Sequence, residues 1–297
     1  MTLPGHRRYG FSDISTRPAF DWPGGARLAV YIGLNLECFS FGTGLGAELA
    51  PGGPQPDVLN YAWRDYGNRV GAPRIRELLD ELALPATLLV NSEMYDAAPG
   101  LVESFRARGD EIAGHGRSNT ERQGTLDEAA ERALIQEATQ RLTAAEGRPP
   151  EGWLGPWISQ SVVTPDLLAE AGYRYLMDWC HDDQPIWMTT RTRPILSVPY
   201  PQELNDIPQI VARKREGAEF GQMIMDAFDV LLAESARRPL VMGIALHGYI
   251  MGQPHRLLHL ASALRHMRAK GGDHVWWTRA RDIAAHFEAL PEHQQRH

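Results

Sequence analysis

Arg27-Leu-Ala-Val-Tyr-Ile-Gly-Leu-Asn-Leu-Glu37 is the stretch whose reading decides the fold. It follows a Pro- and Gly-rich loop (Pro18 to Gly25), is rich in β-forming apolar residues, and keeps its polar groups for its end. A short apolar run bounded by turn residues reads as a buried strand. The segment after it, Gly42 to Pro56, is a long Gly/Pro loop. Structureless loops of that length inside compact domains tend to line sites or act as lids.

Working outward, strands and helices alternate. Pro73 to Leu82 has helical spacing and Ala86 to Asn91 reads as a strand; Leu101 to Arg108 is helical and Asp110 to His115 a short strand. Thr125 to Glu146 predicts a long amphipathic helix with Thr125 and Glu128 as a capping box. Then come a strand at Gly152 to Trp157, a helix at Thr164 to Ala171 with Pro165 in its first turn, and strands at Tyr173 to Met177 and Ile195 to Pro199. Phe220 to Arg237 is helical, Leu240 to His247 a strong strand, and Arg256 to Lys270 a helix. His274 to Trp277 and Arg279 to Leu290 close the series as strand and helix. Such alternation specifies parallel β with helices packed outside. About seven units without a glycine-rich phosphate fingerprint favour an α/β barrel over an open doubly wound sheet, in a single domain over residues 1–297.

Composition sets limits on partners. The 297 residues are 43% apolar and 23% charged with a net charge of −7, the balance of an ordinary globular protein and a poor match for a nucleic-acid partner. Met1 to Gly10 carries His6, Arg7 and Arg8 with no apolar stretch behind them, so neither a signal peptide nor a lipid anchor is read there. No run approaches the roughly 18 apolar residues of a membrane span. The two cysteines, Cys38 and Cys180, are far apart and sit in apolar segments, which predicts buried free thiols and a cytoplasmic location.

Several apolar strands end in a polar residue: Glu37, Asn91, His115, Asp178 and His247. Taken singly, each is explained as a hydrogen-bonded structural residue. In a parallel barrel, however, the C-terminal strand ends share one rim, so five of them predict a convergent site.

The same residues carry a resemblance. Asn35-Leu-Glu37, Tyr66-Gly-Asn-Arg-Val-Gly71, Gly114-His-Gly116, Asp178-Trp179 with Asp182-Asp183-Gln-Pro185, Pro199-Tyr200 with Asn205-Asp206, and Leu246-His247 followed by Tyr249-Ile-Met-Gly-Gln-Pro254 occur in this order across nearly the whole chain. Each piece alone is weak; together they make the chain resemble the polysaccharide deacetylase superfamily, in its branch of metal-independent allantoinases and cyclic imide hydrolases. The resemblance implies a deformed (β/α)7-type barrel. In polysaccharide deacetylases the first strand ends in paired aspartates and the third carries His-x-x-x-His, completing a metal triad. Here the first reads Asn-Leu-Glu37-Cys38 and the second His115-Gly-Arg-Ser-Asn119. Two alternatives stay open: no cofactor, or a single divalent metal such as zinc held by Glu37, His115 and Asn119. Catalytic zinc normally takes three N, S or carboxylate ligands, and a neutral amide makes a poor third. Cys38 does not join Glu37, because neighbouring strand residues point to opposite faces.

The reaction implied is hydrolysis of a C–N amide bond in a small cyclic imide, ureide or related amide. It needs an activated water, a stabilised oxyanion and a proton for the leaving nitrogen. Glu37, with a pKa raised by desolvation, is the expected base and His247 the expected acid, although the sequence leaves the reverse assignment open. Asp178 resembles the family's histidine-orienting aspartate and would fix the tautomer of His247. His115 would position water, metal or the carbonyl oxygen. Trp153 and Trp157, in Gly152-Trp-Leu-Gly-Pro-Trp157, suit a flat uncharged ring or else line the core. Trp63, Arg64, Arg69 and Tyr249 complete the expected substrate contacts, with the arginines equally readable as salt-bridged residues of a helix. Asp182 and Asp183 are expected to shape a loop. The resemblance also implies homo-oligomers, tetramers among them. Two other functions compete: a metal-dependent N-deacetylase of sugars or peptidoglycan fragments, favoured by metal dependence, and a non-catalytic ligand-binding relative, favoured by binding without turnover.

Overall fold

The computed structural model describes residues 5–295; the first four residues of the Met1–Gly10 stretch lie outside that range. Its centre is strand β1 (Leu28–Leu36), buried along its whole length. Eight more strands follow: β2 (Thr87–Val90), β3 (Glu111–Gly114), β4 (Gly152–Trp153), β5 (Tyr175–Leu176), β6 (Ile186–Met188), β7 (Ile195–Ser197), β8 (Leu240–His247) and β9 (Val275–Thr278). They form one curled sheet in the order β6-β7-β5-β4-β3-β2-β1-β8, with β9 on β1. Every pairing is parallel except β6 with β7. Seven strands, β1 to β5 with β7 and β8, make the parallel curl, which is the deformed single-domain barrel that the family resemblance implies.

Two features deform it. Along one edge of β1, Leu28 to Tyr31 pair with β9, while Gly33 to Leu36 pair with β2. Between β7 and β8 no regular ladder closes the curl. The segment after β7 fills the gap, with a parallel bridge between Asn205 and Ala245 and Ala245 donating to the Leu204 carbonyl at 2.9 Å.

Strand alternation sorts the side chains into layers. Leu28, Val30, Ile32, Leu34 and Leu36 pack outward with Met242 and Ile244 against helices such as Gly217–Glu234 and Pro254–Gly271. Each such fully buried side chain contributes about 1.5–3 kcal/mol. Inward residues Ala29, Tyr31, Leu89, Ala113, Tyr175, Leu196, Val198 and Ala245 fill the lower barrel. A third cluster, with Trp153, Leu176 and Ile195, lies beneath the helix Glu128–Glu146.

Several expected boundaries shift. The helix expected from Thr125 starts at Glu128, because Asp127 is its cap and accepts from Ala130 N at 2.9 Å; Gly147 ends it with a positive φ. The strand expected over Gly152 to Trp157 is two residues long, because Gly155-Pro156 turns the chain into a short 3₁₀ segment. Both cysteines are free, but Cys38 is half-buried and Cys180 exposed, contrary to the expectation of buried thiols. Among the described residues no helix is long and apolar enough to cross a membrane.

Candidate active site

Period two carries polar residues to the upper end of the barrel. On β1, Tyr31, Gly33 and Asn35 face inward, and Glu37 is next in phase just beyond the strand. On β8 the inward series ends at His247, whose backbone is level with Asn35. Asn91 and His115 follow β2 and β3 in the same way. Of these, Asn35, Glu37, His115 and His247 open onto a cavity of about 250 Å³, lined also by Phe39, Asn119, Leu154, Trp157, Ile158, Tyr200, Gln202, Asn205, Ile207, Pro208, Ala212 and Tyr249; Asn91 does not line it. That is below the roughly 300–1,000 Å³ of typical small-molecule clefts, so the space is sized for a small ring.

Glu37 is 4% exposed and hub to the site. Tyr249 Oη donates to its Oε2 at 2.8 Å and Asn119 Nδ2 donates to its Oε1. The Nε2 atoms of His247 and His115 lie 3.4 and 3.6 Å from the same Oε1. His247 Nδ1 lies 2.6 Å from Asp206 Oδ1, and its backbone N–H donates to Asp206 Oδ2 at 2.8 Å. His115 Nδ1 faces the Leu154 carbonyl at 2.7 Å, so Nδ1 carries the proton; Nε2 has no hydrogen-bond partner.

These neighbours set the charges. Burial would raise the Glu37 carboxyl, but His247 and then His115 outweigh it and hold it below the ordinary carboxylate value. This reverses the expected upward shift: desolvation is present but loses to the imidazoles. Burial likewise pushes His247 down, yet Glu37 and Asp206 together lift it to about 10. Near neutral pH the pair is therefore carboxylate and imidazolium.

Whether a divalent cation fits turns on Asn119. The backbone N–H of Cys38 donates to Asn91 Oδ1 at 2.8 Å, which fixes the orientation of that amide. Asn91 Nδ2 then donates to the His115 carbonyl and, at 3.0 Å, to Asn119 Oδ1. Only the NH₂ of Asn119 is left to face Glu37. A donor N–H cannot ligate a metal. The residues do not fit the expected triad of Glu37, His115 and Asn119, and among the described residues no group of three His, Cys, Asp or Glu could hold a metal ion.

Other expected site residues lie elsewhere. Asp178 does not reach His247; the aspartate there is Asp206. Asp178 is out of phase with the inward residues of β5, accepts from Gly155 N at 2.7 Å, and is pushed up to about 7 by burial. Trp153 is on the outer face of β4 beneath a helix, its Nε1 on Gln123 at 3.3 Å, so it is core. Arg64 Nη1 donates to the Ala47 carbonyl at 2.8 Å, and its guanidinium lies 4.7 Å over the Phe39 ring, bracing the cavity wall from behind. Arg69 is exposed and pairs with Asp65. Trp63 packs edge-on against Tyr249 rather than lining the cavity. The Gly42 to Pro56 loop does not line it either; Leu49 and Ala50 N–H groups donate to Asn60 Oδ1, tying it to the helix Val58–Tyr66. Asp182 shapes its loop through Arg17 at 2.6 Å. Trp157 and Tyr249 do line the cavity, Trp157 Nε1 donating to the Asn119 carbonyl at 3.0 Å. Sequence reasoning missed Asp206, Tyr200 and Asn205 as site residues, although Pro199-Tyr200 and Asn205-Asp206 are visible motifs.

Known proteins bear on this geometry. A family model described as polysaccharide deacetylase matches residues 59–176, which include His115 and Asn119 but neither Glu37 nor His247. The chain is similar to a crystal structure of PuuE allantoinase, with 30% identity and a TM-score of 0.83 over 94% of this chain and 97% of that one. It is similar at 30% identity and TM-score 0.81 to a probable polysaccharide deacetylase from Pseudomonas aeruginosa PAO1, over 93% and 97% of the two chains. A peptidoglycan deacetylase from Helicobacter pylori is 22% identical over 254 residues, covering 75% of this chain and 85% of that protein. The chain belongs to the polysaccharide deacetylase superfamily, in its allantoinase-like branch of C–N hydrolases.

Proposed function

We propose that this protein opens a C–N amide bond in a small, uncharged cyclic imide or ureide by metal-independent attack of water. The observation that carries the reading is the buried Glu37–His247–Asp206 array, with both Nε2 of His247 and Oε1 of Glu37 at one small cavity. Among the described residues no arginine or lysine lines that cavity, whose neutral polar groups are carboxamides, phenols and an indole. Such a lining suits a neutral ring with alternating N–H and C=O groups.

In the reaction, Glu37 takes a proton from water as its oxygen attacks the carbonyl carbon. The carbonyl electron pair moves to oxygen. Collapse of the tetrahedral intermediate breaks the C–N bond, and His247 Nε2 gives its proton to the leaving nitrogen. The ring opens to an amide or ureido acid. Asp206 holds His247 Nδ1–H and so aims Nε2. Tyr249 and Asn119 fix the Glu37 carboxylate, each using one oxygen.

A hydrolysis screen over succinimide, hydantoin, allantoin and N-acetylglucosamine oligomers, with and without zinc, tests the reading. Turnover of a cyclic substrate without zinc is expected; hydrolysis of the N-acetyl sugars alone, and only with zinc, would establish the deacetylase function instead. Glu37→Gln and His247→Ala should each lower kcat about 10² to 10⁴-fold, with the thermal melt showing a folded protein. Near wild-type turnover in either variant would overturn these roles.

A further inference from the structure

Amide hydrolysis needs a donor for the oxyanion, and in this site several side-chain protons are already committed. Tyr249 Oη–H goes to Glu37, Asn119 Nδ2 to Glu37, and Trp157 Nε1–H to the Asn119 carbonyl. His247 is reserved for the leaving nitrogen. His115 points its Nδ1–H at Leu154, and its Nε2 faces Glu37 Oε1 3.6 Å away.

Tyr200 is different. Asn35 Nδ2 donates to the Leu246 carbonyl at 3.1 Å, and a carbonyl can only accept, so the orientation of this amide is fixed. The same Nδ2 lies 3.2 Å from Tyr200 Oη. The phenol oxygen is therefore an acceptor in that contact, and its own proton points elsewhere. Among the described residues no acceptor for it is found within hydrogen-bond distance, although the residue is 3% exposed and lines the cavity. A buried hydroxyl whose proton has no protein acceptor is costly unless a ligand takes it.

Three successive inward residues of β1 hold this hydroxyl in place. Tyr31 Oη donates to the Pro199 carbonyl at 2.6 Å and so pins the residue before Tyr200. Gly33 leaves room for the ring, since a β-carbon there would sit 3.3 Å from Tyr200 Cε2. Asn35 holds the oxygen. The next inward residue is Glu37. Tyr200 thus presents its O–H from the floor of the cavity, one step of the strand below the base. Burial, with Asp206 and Glu37 nearby, holds the phenol well above its ordinary pKa, so the proton stays on.

We propose that Tyr200 Oη–H is the oxyanion donor, binding the carbonyl oxygen of the scissile amide more strongly as it becomes negative. The proposal rests on the amide-hydrolase reading above. It gives a phenol the charge-stabilising part that a cation performs in metal-dependent hydrolases.

The test is Tyr200→Phe, which keeps the ring on Gly33 and deletes the proton. It is measured on the best substrate among succinimide, hydantoin and allantoin, and on that substrate's thiocarbonyl counterpart. Losing one oxyanion donor lowers kcat about 10² to 10³-fold; that loss is expected with little change in KM. Sulfur is a weaker hydrogen-bond acceptor, so the wild-type preference for the oxygen substrate should shrink in the variant. Wild-type-like kcat in Y200F, or a loss that leaves the oxygen-to-sulfur ratio unchanged, would overturn the assignment and leave the hydrolase reading standing. If the wild-type protein opens none of the three rings, the hydrolase reading fails and the Tyr200 assignment with it.

Discussion

Asp206 sets the chemistry of His247 from behind. It takes both the Nδ1 proton and the backbone N–H of the histidine, so one carboxylate fixes the ring's angle, tautomer and charge. With Glu37 it raises His247 to about 10, while Glu37 itself is held below the ordinary range. With Glu37 as the proposed base and His247 as the proposed acid, both are in the required state across the neutral region, and kcat/KM should form a wide plateau falling as pH nears 10. Removing the Asp206 charge removes one of two anions that raise His247. In Asp206→Asn the alkaline limb should therefore move to lower pH, as a kcat/KM profile would show; an unmoved limb would mean that Asp206 does not tune the acid. Some of this was legible in the chain. Glu37, His115 and His247 are recognisable because each ends an apolar strand in the inward phase. Asp206 is not, because it lies on an irregular segment where no periodicity announces direction. Asp178 and Trp153 mislead for the opposite reason: they end strands, but in the phase that faces away.

At the scale of elements, the helix Val58–Tyr66 runs through a π-helical stretch, Gly67–Gly71, into the helix Ala72–Glu81. π-Helical insertions are costly and frequent at functional sites. Here the extra residue turns Asn68 to the Glu37 carbonyl, which it holds at 2.8 Å. It also lets Gly67 and Gly71 lie directly against the short helix Gly248–Met251 that carries Tyr249. A β-carbon at Gly71 would collide with the Gly248 carbonyl oxygen, and one at Gly67 with the backbone of Tyr249. Gly71→Ala should then cost about 1–3 kcal/mol, the usual penalty for overpacking, and occasionally more. It should also raise KM through Tyr249; denaturant melts and steady-state kinetics read the two effects separately. The glycines of Tyr66-Gly-Asn-Arg-Val-Gly71 are visible in the sequence, but the close approach they permit is a tertiary fact. Arg64 and Arg69 follow the same rule. Both sit beside the site in sequence, yet one faces the back of Phe39 and the other the solvent.

For the whole molecule, the strand–helix alternation was enough to specify the parallel curl, since buried strands and amphipathic helices have few other ways to pack. Its deformation was not, because β9 and the segment between β7 and β8 depend on pairings far apart in sequence. The polar groups of the cavity these pairings close are amides, phenols, His115, an indole and one ion pair, and the orientation of Asn119 leaves no third metal ligand in the expected triad. Chelators should therefore leave turnover unchanged, as assay after exhaustive dialysis against EDTA would show; loss of activity restored by zinc would contradict the orientation deduced for Asn119.

The double pairing of β1 has a bearing on how the enzyme is made. The strand that leads to Glu37 is stitched to residues beginning at Thr87, Leu240 and Val275. Long-range parallel pairings form slowly. A nascent chain emerging from the ribosome through β7 would carry Glu37 on a strand with one flank and part of the other still bare, a sticky surface for chaperones until the final third arrives. Competence to catalyse therefore comes late in synthesis, with the closing strands rather than with the first.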